Sequence, residues 1–194
     1  MDTYPEITIN CHSSIRIAGS KTIYFDPFHI ASAPHDADVI FVTHDHFDHL
    51  SEEDVEKVRN EKTVVVTHEN ADRISVEGLS FTAVPAYNVN KKFHPREAHY
   101  VGYLVTMDGK RYYVTGDTDA TEEMKRVSAD VVLMPVGGTY TMTAEEAADA
   151  AAEMDVTTVI PTHYGEIVGE KNDGERFKAL VNGRKNVVLK LFQS

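Results

Sequence analysis

One cysteine in 194 residues, Cys11, and no tryptophan set the first limits on this chain. A lone thiol excludes an intramolecular disulfide framework, thiolate zinc fingers and iron–sulfur clusters held by one chain. No apolar run approaches the ~20 residues that cross a bilayer. The N-terminus, Met1-Asp2-Thr3-Tyr4-Pro5-Glu6, has no cationic stretch followed by an apolar one. No signal peptide is read there, and a cytoplasmic protein without a membrane segment is expected. Positive charge is also scarce: 19 Lys and Arg stand against 31 Asp and Glu, for a net charge of −12. A field of that sign repels phosphate backbones and counts against a nucleic-acid partner. A small anionic substrate stays open, because a bound metal inverts the local sign. With no low-complexity tract, internal repeat or linker, residues 1–194 read as one domain.

What is present is a core's worth of apolar residues, 42% of the chain. Ile7-Thr8-Ile9, Ile15-Arg16-Ile17 and Ile23-Tyr24-Phe25 alternate with period two and predict short strands, the last two joined by a turn at Gly19-Ser20. Val39-Ile40-Phe41-Val42 and Val64-Val65-Val66 are continuously apolar, as in strands covered on both faces. Ser51 followed by Glu52-Glu53-Asp54 predicts a capped helix start. Strands are expected over 79–84, 101–106 and 111–115, the last two joined at Asp108-Gly109. The stretch 85–100 lacks periodicity and reads as a long loop, a length often tied to function in compact domains. Helices over 122–127, from Thr143 onward and over 175–181 alternate with strands over 131–134, 156–160 and 187–191. The order is α/β.

Ten histidines are the positive feature of the composition. Three apolar strands end in the dipeptide Thr-His, at His44, His68 and His163, and a fourth ends in Thr115-Gly116-Asp117. Carboxyl ends of strands line the ligand crevice of α/β sheets, so these groups can converge. The densest cluster is His44-Asp45-His46-Phe47-Asp48-His49. On a tight loop its four ligand-type side chains face two neighbouring points, and imidazole and carboxylate without thiolate suit zinc, iron or manganese.

With His-x-His-x-Asp-His at 44–49, Gly116-Asp117-Thr118-Asp119 and Pro161-Thr162-His163-Tyr164-Gly165, the sequence resembles the metallo-β-lactamase superfamily of binuclear metal hydrolases over nearly its whole length. Asp26-Pro27 and the segment 135–142 resemble its compact branch of metal-dependent hydrolases, relatives of L-ascorbate-6-phosphate lactonase and of N-acyl-phosphatidylethanolamine phospholipase D. The resemblance implies an αββα sandwich, two mixed sheets flanked by helices. It implies two divalent metal ions, zinc first, with manganese or iron as alternatives. His44 and His46 would bind the first, Asp48 and His49 the second, Asp117 would bridge both, and His163 would complete the second. The third ligand of the first site departs from the family pattern, with Asn88 where relatives often carry a histidine. His94 is the choice, against Asn88, His68, His99 or a single-metal site. His12 and Asp26 are expected beside the metals, orienting ligands. His29 and His35 read as surface residues.

A water between two cations has its pKa lowered from 15.7 towards roughly 7, which supplies hydroxide at neutral pH. Asp48 and Asp117 would be the catalytic carboxylates, and Tyr140 and Thr141 would touch substrate. Lys91, Lys92 and Arg96 form a basic cluster that either meets an anion or is solvated. Hydrolysis of a small ester, lactone or phosphoester is the expected function. Phosphodiester cleavage of nucleic acid and a non-catalytic metal-binding regulatory role are the alternatives.

Overall fold

Ile and Val at alternating positions build the first sheet from its edge inward. In a computed structural model that describes residues 3–190, β1 (Ile7–Cys11), β2 (Ser14–Ala18) and β3 (Thr22–Phe25) form an antiparallel meander. It continues in parallel through β4 (Val39–Val42) and β5 (Val64–Thr67). β4 is buried at all four residues. Val64-Val65-Val66, predicted as a strand covered on both faces, is β5 at the sheet edge, where only Val66 is fully buried.

The second sheet has β6 (Ser80–Pro85), β7 (Val101–Met107) and β8 (Lys110–Val114) antiparallel. β9 (Ser128–Pro135), β10 (Asp155–Thr162) and β11 (Asn186–Val187) then add in parallel. Asp108 and Gly109, both at positive φ, make the tight turn between β7 and β8. The last strand pairs at only two residues rather than over 187–191, and Leu191 lies outside the described residues.

The two mixed sheets pack face to face around Ile9, Ile15, Phe25 and Phe41 of the first and Tyr103, Val105, Val131 and Leu133 of the second. Outside the first sheet lies α1 (Glu52–Val58), with Val55 and Val58 on Tyr24, Ile40 and Val42. Outside the second lie α2 (Glu122–Lys125), α3 (Ala144–Glu153) and α4 (Asp173–Val181). Alanines on the buried face of α3 bring its backbone close to the sheet, and Thr143 with Glu146 closes its N-terminus in a capping box. The layers are α, β, β, α, as expected. Among the described residues, no helix is long and apolar enough to cross a membrane.

The helix-start signal at Ser51 has a partner that sequence did not show. Asp54 is buried and accepts from the backbone N–H of His29 and Ile30, from Ser51 Oγ and from Lys57 Nζ. Burial pushes its carboxyl up, but Lys57, Ser51 and those amides outweigh it and hold it below the usual range. Asp54→Ala is expected to cost about 1–3 kcal/mol by leaving the amides without an acceptor. Because the folded pKa is the lower one, the wild type keeps this contribution above the unfolded carboxyl's pKa. It loses the contribution as pH falls through the folded value. Urea unfolding of both proteins at neutral and acid pH should show the difference shrinking on acidification.

Candidate metal centre

β8, β9 and β10 run parallel, so their carboxyl ends lie at one end of the sheet, beside the end of β4. The seam is drawn tight there. Val101 donates its N–H to Thr43 O across the two sheets. Gly116 sits at φ +64, where a Cβ would lie 2.8 Å from Val101 O and 3.1 Å from Thr43 Cβ. A glycine is required before Asp117 so that β8 can turn into this gap.

After β4 the chain turns sharply: His46 O accepts from the N–H of both His49 and Leu50. This turn divides the His-x-His-x-Asp-His residues between two neighbouring points. His44 and His46 join His94, each offering a ring nitrogen within 4.8 Å of the others. Asp48 and His49 join His163 and His12 under the same limit. Asp117 lies between the groups, with Oδ1 3.4 Å from His49 Nε2 and Oδ2 3.0 Å from His163 Nε2 and 3.3 Å from His94 Nε2.

These contacts lack the alignment of hydrogen bonds. Nε2 of His44, His49, His94 and His163 and Oδ1 of Asp117 are buried without a hydrogen-bond partner. Each orphaned group of this kind costs about 1–3 kcal/mol, and a divalent cation between them would offset that cost. The protonation states agree. Burial pushes His44 well below the ordinary imidazole range, lowers His94 and pulls His12 down to about 4, leaving neutral lone pairs of the kind metals take. Burial pushes Asp117 up, but His163 and His49 outweigh it and hold the carboxyl ionised. Burial likewise pulls His49 down, but Asp117, Asp26 and Asp48 push it up to about 9, so a cation there would compete with a proton. The donor set is imidazole and carboxylate throughout, and it fits a divalent transition metal.

The ring orientations are fixed from behind. Asp26, fully buried just after β3, accepts from Thr43 N–H at 2.8 Å, Thr43 Oγ1–H at 2.7 Å and His49 Nδ1–H at 2.7 Å. Since the Thr43 hydroxyl gives its one proton to Asp26, it accepts from His44 Nδ1 at 2.9 Å. One carboxylate thus sets both imidazoles with Nε2 towards the site. Sequence pointed to Asp26 but not to Thr43. The clue was the Thr-His dipeptide itself, whose threonine takes this role only where a carboxylate lies behind it.

His94 reaches the site because Asn88 holds its loop. Asn88 N–H donates to His94 O, Asn88 Oδ1 accepts from His94 N–H, and Asn88 Nδ2 donates to Tyr140 O. Asn88 therefore clamps the loop and does not join either group. His68 sits edge-on to Tyr100 with ring centroids 5.4 Å apart, and His99 is exposed at the end of a 3-10 turn, Arg96–Ala98. His29 and His35 are exposed, as expected. Cys11 is buried 3.7 Å from His29 Nδ1, and burial pushes its thiol up to about 11. His12 comes nearer than expected, with Nε2 3.3 Å from Asp48 Oδ2 and its ring 3.7 Å from that of His163.

A cleft of about 220 Å³ opens over the site, lined by His46, Phe47, Asp48, Phe93, His94, Asp117, Tyr140 and Ile167. Tyr140 lines it, whereas Thr141 is fully buried and is not among the lining residues. Lys91 is bound to Asp119 at 2.7 Å, and Arg96 to Glu123 at 2.8 Å while lying over the Tyr87 ring.

Residues 6–163 match the family model described as a beta-lactamase superfamily domain. A UPF0173 metal-dependent hydrolase of Pyrococcus abyssi is 31% identical, with 92% of each chain covered. One of Methanoculleus marisnigri is 32% identical over 93% of this chain and 90% of its own. Among solved structures, a candidate metal-dependent hydrolase of Parabacteroides distasonis superposes with a TM-score of 0.84 at 31% identity, covering 96% of this chain and 93% of that one. The layers, the motif order and these matches agree, and the chain belongs to the metallo-β-lactamase superfamily.

Proposed function

We propose that this protein is a binuclear metal-dependent hydrolase of small esters, lactones or phosphoesters, with zinc as the first candidate metal. The observation that carries this is the set of buried Nε2 atoms and one Asp117 oxygen that converge without hydrogen-bond partners. In this reading His44, His46 and His94 hold one cation, Asp48, His49 and His163 the other, and Asp117 stands between them. The relatives' description as metal-dependent hydrolases supports it.

Bound divalent cations supply Lewis acidity and a water of lowered pKa. The residues supply the rest. Asp26 and Thr43 hold the His49 and His44 rings in one tautomer, so no reorientation is needed during turnover. Asp48 and Asp117 both line the cleft, where each can accept a proton from an attacking water. Tyr140 stands at the cleft wall, where it positions substrate over these carboxylates.

Metal-loaded protein should cleave p-nitrophenyl esters or bis-p-nitrophenyl phosphate, and lose that activity with a chelator or in Asp48→Ala. Turnover of none of these by protein carrying two metals per chain would favour a regulatory role. His94→Ala is expected to drop bound metal from about two to about one per chain and activity by on the order of 10²-fold, checked by metal analysis beside kinetics. An unchanged metal content would instead return the third ligand to its alternatives.

A further inference from the structure

The large exposed apolar side chains among the described residues are Phe47, Leu50, Val89, Phe93 and Ile167. Three of the five, Phe47 at 70%, Phe93 at 47% and Ile167 at 39% exposure, line the cleft over the candidate metal centre. They come from three separate loops: the turn after β4, the loop between β6 and β7, and the segment between β10 and α4. Tyr140 adds a fourth wall, edge-on to Phe93 with ring centroids 4.6 Å apart. Apolar surface held open to water by independent loops around one point marks a binding surface rather than chance exposure.

Charge selects what binds there. No Lys or Arg is among the cleft-lining residues. Of the three cations in the adjoining loop, Lys91 is engaged by Asp119 and Arg96 by Glu123, while Lys92 is exposed and does not line the cleft. Sites for phosphate or carboxylate commonly add Arg or Lys forks aimed at the anion. Here any positive charge would come from the bound cations alone, and the wall beyond them offers aromatic and aliphatic carbon. At about 220 Å³, the cleft is below the roughly 300–1,000 Å³ of drug-sized ligand sites, so the apolar group it holds is short.

We infer that, within the hydrolase reading proposed above, the substrate is a neutral carboxylic ester or lactone whose short apolar group lies between Phe47, Phe93, Tyr140 and Ile167. The phosphoester option is thereby set aside. In the reaction the water oxygen bonds to the acyl carbon and the acyl carbon–oxygen bond breaks. One water proton ends on the leaving alkoxide oxygen and the other on the carboxylic acid, which ionises in solvent.

The test is a matched substrate series with metal-loaded full-length protein. From p-nitrophenyl acetate to butyrate kcat/KM should rise by about tenfold, each methylene buried on aromatic carbon contributing roughly three- to fourfold. The hemisuccinate, of similar length but anionic, should fall at least about tenfold below butyrate, and p-nitrophenyl phosphate and the bis-ester lower still. Phe93→Ala, at an exposed position that does not threaten folding, should flatten the butyrate-to-acetate ratio to about threefold or less with metal content unchanged. Phe47→Asp should depress butyrate more than acetate. Preference for the phosphoesters or the hemisuccinate, or a flat chain-length profile in the wild type, would overturn the inference while leaving a metal hydrolase standing. No turnover of any ester or phosphoester at full metal loading would instead remove the hydrolase reading, and the inference with it.

Discussion

Asp117→Ala should lower turnover by on the order of 10³-fold or more and reduce bound metal below two per chain. Its two oxygens lie 3.0–3.4 Å from Nε2 atoms on three different histidines, so it faces both ligand groups. Burial would push such a carboxyl up, and it is held down only by the surrounding imidazoles. Removing it therefore takes away a ligand and the nearest carboxylate to His94 and His163, leaving Asp48 and Asp26 as the counter-charges to His49 and His163. A loss of that size corresponds to about 4 kcal/mol of transition-state stabilisation. Metal analysis separates the two routes to inactivity: full metal content with no turnover would mean that Asp117 acts in the chemistry and not as a bridge. Asp117→Asn keeps the shape and one acceptor oxygen and should retain part of the metal while losing most of the rate.

Asp26→Asn tests the support behind the ligands. The carboxylate accepts one donor on Oδ1, Thr43 N–H, and two on Oδ2, Thr43 Oγ1–H and His49 Nδ1–H. An amide presents its NH2 to one of these sides whichever way it flips, so at least one donor meets a donor in a fully buried position. The expected result is a 10–100-fold weaker metal affinity, with about 1–3 kcal/mol lost in stability from the unmet donors. Competition with a chromophoric chelator gives the first quantity and chemical unfolding the second. A stability loss with unchanged metal affinity would show that Asp26 only packs.

The parts of the fold that sequence made legible were those where one local rule suffices. The alternation in Ile7–Ile9 and in Ile15–Ile17, the Asp108-Gly109 turn and the Thr143 capping box all specify their structure within a few residues. β5 lies at the edge rather than under cover on both faces, a difference hidden in the sequence because three consecutive valines look alike at the centre and at the edge of a sheet. Only the strand order decides which. The same division holds for the site. The His-x-His-x-Asp-His turn is local, and its two-sided geometry follows from one backbone bifurcation at His46 O. His94 is not local: it depends on Asn88 bonding both to the loop backbone and to Tyr140 O, fifty-two residues on. An asparagine in the place of a family histidine looked like a missing ligand, and it is instead the clamp that carries the histidine in. The approach of His12 to Asp48 likewise follows from the β1–β2 turn meeting the end of β10, where His163 N–H donates to His12 O.

Anomalous diffraction from crystals of the zinc-loaded protein, recorded on both sides of the zinc edge, tests the central claim most directly. Two peaks are expected, one among His44, His46 and His94 and one among Asp48, His49 and His163, with Asp117 between them. A single peak shared by all seven residues, or zinc bound elsewhere on the chain, would contradict a binuclear centre at this site.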